Sequence, residues 1–116
     1  MQIKIRDMIG PRCIIKEDGQ RVYDAIHDPL MNGEEVKLNF VGVAQLASPF
    51  FNFAIGQLLK DISEENLKRF LHIENIVPEG RMVIDCVIEN ARQYHTDVDY
   101  RKTVDSILEQ QAKESE

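Results

Sequence analysis

The segment EEVKLNFVGVAQLASPFFNFAIGQLLK, residues 34–60, limits the fold of this chain more than any other part. Val36, Leu38, Phe40, Val41 and Val43 make an apolar run, as in a strand covered on both faces. Ser48-Pro49 then opens a helix: serine can accept a bond from a first-turn amide, and proline at the first helical position sacrifices no hydrogen bond. A buried strand, a short loop and a helix in succession point to an α/β domain.

The flanking sequence continues the alternation. Residues 2–5 and 13–16 read as strands joined through the Gly10-Pro11 turn, with 36–40 and 70–73 as the next two. Asp18 is the expected N-cap of a helix carrying Val22, Tyr23, Ile26 and Leu30 at helical spacing, ending near His27 because Pro29 disfavours a helical Asp28. Ser63 should cap a short helix begun by Glu64 and Glu65. Residues 79–94 form a long helix with Val83, Ile84, Val87, Ile88, Ala91 and Tyr94 on one side. The expected architecture is a small, mainly parallel or mixed sheet of about four strands with helices packed on it, within residues 1–96. A C-terminal amphipathic helix and frayed tail occupy 97–116. The stripe Tyr100, Val104, Ile107 and Leu108 in that last helix suits either a homodimer or docking onto the chain's own domain.

At 116 residues the chain is one domain by length. Its net charge of −6 argues against nucleic acid, whose phosphates need clustered Lys and Arg. No apolar run approaches a membrane span, and the start lacks a signal-peptide core. Cys13 and Cys86 both lie in apolar surroundings and are expected to be buried free thiols in a reducing, cytoplasmic setting.

Parallel α/β sheets carry their working edge outside the carboxyl ends of the strands. The loop at residues 42–48 is such an edge. On the helix that follows, Phe50, Phe51, Ala54, Ile55, Leu58 and Leu59 share the core half. Asn52, Phe53, Gly56, Gln57 and Lys60 fall opposite, so together with Ser48 they form the candidate partner-binding face of residues 48–60. The alternatives are that a neighbouring loop or the terminal helix covers Phe53, and that Ser48 is an anion, nucleotide or phosphorylation site at the helix start.

Catalytic constellations are not evident. His27, His72 and His95 lack metal-ligand spacing, so no metal is expected. His95, Asp97 and Asp99 read as a solvated loop, and Asp85 and Glu89 as partners of Arg81 and Arg92 in a salt-bridge ladder. No glycine-rich phosphate loop or Gly-x-Ser-x-Gly elbow is present. Arg12 beside Cys13 is the one hint of an activated thiol. The expectation is a non-enzymatic protein without a cofactor.

LNFVGVAQLASPFFNFAIGQLL, LHIEN and PEGRMVIDCVIENA together resemble the STAS-like bacterial domains of unknown function, distantly similar to anti-sigma-factor antagonists. The likeness spans residues 19–94 and includes Leu38-Asn39-Phe40, Phe50, Asn52, the Gly56-Gln57-Leu58-Leu59 stretch and Asn75. It implies a sheet with helices, no cofactor, and protein-protein regulation with an ATP-binding kinase-like partner. In true antagonists an Asp-Ser-Ser or Asp-Ser-Thr triplet, then Gly, precedes this helix, and the second hydroxyl is phosphorylated. Those positions fall here on Ala47, Ser48, Pro49 and Phe50. The acceptor position is thus a proline, and Ser48 matches only the first hydroxyl.

Overall fold

A computed structural model describes the backbone of residues 1–96 and the side chains through residue 93. The elements run β1 (Gln2–Lys4), α1 (Ile5–Ile9), β2 (Arg12–Cys13), α2 (Lys16–Met31), β3 (Val36–Asn39), β4 (Gln45–Leu46), α3 (Ser48–Ala54), a 3-10 helix (Gly56–Lys60), α4 (Glu64–Phe70), β5 (Leu71–Glu74) and α5 (Pro78–Thr96). β3 is the centre of a three-stranded parallel sheet ordered β1-β3-β5. Its register sets Lys4 beside Asn39 and Asn39 beside Glu74, so all three strands end at one edge. A second parallel pair, β2 with β4, lies in the connections. The expected mixed α/β class with mainly parallel strands is what forms, divided between two sheets.

Several boundaries differ from the expected ones. The first strand stops at Lys4 and Ile5 turns into the short α1. The second comprises Arg12 and Cys13, because α2 already starts at Lys16. Asp18 is therefore not the N-cap but an acid inside the first turn with Glu17, where negative charge favours a helix start. The same helix runs through Pro29 to Met31 instead of ending near His27. Proline removes one amide, but Asn32 N–H donates to the Asp28 carbonyl (3.0 Å) and Glu34 N–H to that of Pro29 (2.9 Å), which closes the last turn. Ser63 caps α4 as expected, its Oγ accepting from Asn66 N–H at 3.2 Å.

Phe50, Phe51, Ala54, Ile55 and Leu58 are buried and Leu59 partly so, as the helical spacing requires. Phe51 stacks edge-on against Phe50 (5.1 Å between centroids) and touches Phe40 at the end of the central strand (6.0 Å). α2 lies against α3 in the most extensive helix contact of the described residues. A Cβ on Gly19 would stand 2.4 Å from the Phe50 carbonyl oxygen, so only glycine permits this approach. α5 closes on α3 and the 3-10 helix from another direction, bringing Val87 to within 3.2 Å of where a Gly56 Cβ would sit. The expected terminal helix and its homodimer stripe fall outside the described residues.

Candidate functional site

The carboxyl edge of the three-stranded sheet is built around one buried amide. Asn39, the last residue of β3, is 8% exposed. Its Oδ1 accepts from the Val41 backbone N–H at 3.0 Å and from Asn75 Nδ2 at 2.9 Å. The first bond shapes the loop after β3, and the second joins it to the loop after β5. Phe40 N–H donates to the Glu74 carbonyl at 2.9 Å and Val43 N–H to the Phe40 carbonyl at 3.1 Å, completing the lock. Asn75 adopts φ +57°, a left-handed conformation that asparagine tolerates better than most residues. Gly42 has φ +77°, and a Cβ there would lie 2.8 Å from the Arg6 side chain that covers the turn.

Apolar groups stand on this pinned frame. Val41 is 51% exposed and Val77 50% exposed, one on each of the linked loops. Val43, Leu46 and Ile76, on the neighbouring backbone, are partly buried and packed against the core. The gap among Phe40, Val43, Leu46, Asn75, Ile76 and Val77 has a volume of about 10 Å³, room for roughly one water. Such a gap holds no nucleotide or cofactor; the edge offers a surface. A larger hollow of about 330 Å³ lies along Ile9, Pro11, Arg12, Ile14, Ile15 and Asp18, beside β2.

The face expected on residues 48–60 is arranged differently. Ala47, not Ser48, is the N-cap of α3, and no side-chain cap bond forms. Ser48 is exposed in the first helical position, with Pro49 next. The helix spans seven residues, then Ile55 at φ −120° breaks it into the 3-10 helix, so residues 48–60 are not one continuous helix. So short a helix has a weak dipole with which to hold an anion. Phe53 is half-buried, not exposed: α2 passes over it, and a Gly19 Cβ would be 3.0 Å from that of Phe53. Asn52 is half-buried and Gly56 is buried under α5. Gln57 Nε2 donates to Gln20 Oε1 at 2.9 Å and to the Phe53 carbonyl at 2.8 Å, tying the 3-10 helix to α2. Lys60 is exposed. The outward flank predicted by the helical wheel is thus largely an interior seam, because two helices rather than one pack on this segment.

The remaining candidates are dispersed. Cys13 is buried, and burial, aided by the Asp18 charge, pushes its thiol up to about 12; it is protonated, and Arg12 does not activate it. Cys86, expected inside, is exposed on the solvent side of α5. Arg92 pairs with Glu89, as the expected ladder requires, and reaches Glu64 at 3.7 Å. Hydrogen bonding to Arg92, then to Gln93, holds the Glu89 carboxyl below its usual range. Arg81 instead donates to the Ile73 carbonyl at 3.2 Å. His72 lies 3.5 Å from Glu35, while the His95 side chain, Asp97 and Asp99 fall outside the described residues. No cluster of metal-ligating groups occurs among the described residues.

Residues 18–81 match the family model for a STAS-like domain of unknown function (DUF4325). The chain belongs to this family. The matched part of the STAS-like domain runs from the first turn of α2 to that of α5 and contains Asn39, Val41, Ser48, Asn75 and Val77. Searches of the curated proteins and of the solved structures gave no match. Residue patterns alone did not single out the Asn39–Asn75 pair, which entered only through the family resemblance. The available signal was an asparagine ending a strand just before a glycine turn, and a second asparagine immediately after β5.

Proposed function

We propose that this STAS-like domain is a non-enzymatic regulatory module that binds a protein partner at the carboxyl edge of its sheet. The observation that carries the reading is the exposed pair Val41 and Val77, held on two loops that Asn39 locks together. Half-exposed valines on pinned backbone offer apolar area with little ordering cost on binding. The edge also coincides with the place where parallel sheets carry their ligands. Ser48 follows β4 by two residues and is exposed, so it remains accessible to a partner even without a capping role. The family resemblance makes an ATP-binding kinase-like regulator the partner to test first. An anion or nucleotide sensor at Ser48 has less support, given the seven-residue α3.

A photo-crosslinking side chain at position 41 or 77, compared with one at exposed Lys68, tests the surface in the source cell. The same adduct at 41 and 77, absent at 68, is the expected result. It should disappear in Val41→Asp/Val77→Asp, whose stability should change by no more than about 0.5 kcal/mol per site. Adducts that are equal at all three positions, or unaffected by the double substitution, rule out this edge as the docking surface.

A further inference from the structure

His27 lies on α2, four residues before its end, and is 23% exposed. Both of its ring nitrogens face carboxylates. Nδ1 is 3.0 Å from Asp28 Oδ1, and Nε2 is 2.9 Å from Asp61 Oδ2. A neutral imidazole has one N–H, whereas an ionised carboxylate only accepts. The two contacts can therefore both be hydrogen bonds only when the ring is an imidazolium.

The two carboxylates differ in position. Asp28 is the next residue on α2, so its bond is local. Asp61 is the C-cap of the 3-10 helix, 34 residues further along, so its bond joins two elements. Tyr23 also faces this cluster, its ring tilted against that of His27 at 5.1 Å between centroids, and its phenol is raised by desolvation, then by the charges of Asp61, Asp24 and Asp28. No described cation is set against the ring to offset these acids.

We propose that His27 is a proton-operated tie between the last turns of α2 and the end of the 3-10 helix, closed by the imidazolium and loosened when the ring is neutral. Losing the proton removes one of the two bonds, and the ring is then free to keep its local partner and release Asp61. This loosens the C-terminal end of the same 3-10 helix that Gln57 ties to α2 from the other end. The device is independent of the docking surface proposed above. Its physical basis is charge: a carboxylate stands at each nitrogen of one ring, so its proton is retained to higher pH than in an ordinary histidine, chiefly through Asp28 and then Asp61.

The test uses the full chain and follows the His27 ring resonances and the Asp61 and Ile62 amide exchange across pH 5–9. Those amides donate to the Leu58 carbonyl at 3.2 and 2.9 Å and so report on the end of the 3-10 helix. Wild type should show His27 titrating above the ordinary value of about 6.5. Above that transition, Asp61 and Ile62 exchange should quicken about two- to tenfold relative to intrinsic rates, the worth of one net hydrogen bond. In Asp61→Asn the titration should move down and the exchange step should vanish; in Asp28→Asn the titration moves down but a step persists. An unchanged His27 titration in Asp61→Asn, or wild-type exchange without a step, overturns the tie.

Discussion

The carboxyl edge of the sheet and the junction of α2 with the 3-10 helix solve one problem with different chemistry. Each must hold together segments distant in sequence. The edge uses neutral amides: Asn39 accepts from Val41 and Asn75, and it is nine-tenths buried. The junction uses ionisable groups at a wetter site, where His27 meets Asp61 with its carboxylate 48% exposed. A neutral buried network costs much to break but is indifferent to pH. An exposed ionic one is cheap to break and follows proton concentration and salt. A neutral, buried lock at the edge and an exposed ionic contact at the junction are what the proposed docking surface and the proposed tie would each require.

Removing Phe51 should give the largest effect and erase the distinction. Its ring is fully buried and contacts both Phe50 and Phe40, so it supports α3 and the end of β3 together. Phe51→Ala should cost about 3–5 kcal/mol. Denaturant unfolding that shows less than about 1 kcal/mol would mean the core is not shared in this way. Asn39→Ala is intermediate: it deprives two donors of their acceptor and should cost about 2 kcal/mol, to the same extent at every pH between 5 and 9. A cost that varied with pH would contradict the neutral character of the edge.

His27→Gln is the smallest and should have the opposite profile. The folded pKa of His27 is raised, so its contribution is fully present below the unfolded value of about 6.5 and is lost as pH rises through the folded one. Thermal melts of wild type and His27→Gln should differ at pH 5.5 and converge at high pH, with a gap below about 1 kcal/mol. A gap that widened as pH rose would reverse the assigned sign. Added salt should narrow the low-pH gap while leaving the Asn39→Ala cost unchanged.

What could be read beforehand divides along the same physical line. The core half of residues 50–58 followed from spacing, because Phe50, Phe51 and Ala54 share one face of α3, and Ile55 and Leu58 stay inward although the chain tightens into the 3-10 helix there. Spacing left the opposite half open, with Phe53 either covered or free to dock a partner, because it says which residues share a face and not how many neighbours that face acquires. Gly56, set beside polar residues on the wheel, is buried because α5 needs its missing side chain to approach. Gly19 plays the same part for α2. A glycine admitting a neighbour and a glycine on an open surface look alike in a single sequence. Cys86 was misplaced for a related reason: apolar neighbours along a helix lie about 100° apart around its axis, so adjacency does not imply a common side.

By itself, the order of residues determined the α/β class, the parallel tendency of the strands, the Ser63 cap and the core-facing residues of α2, α3 and, through Ile88, α5. These rest on local backbone preference and on a period that each segment carries within itself. Only the tertiary structure decided that α2 and α5 enclose the flank bearing Phe53 and Gly56, that Asn39 meets Asn75, and that His27 meets Asp61. Those pairs are separated by 36 and 34 residues, and their geometry is set by how sheet and helices pack together. No local preference encodes a distance of that kind.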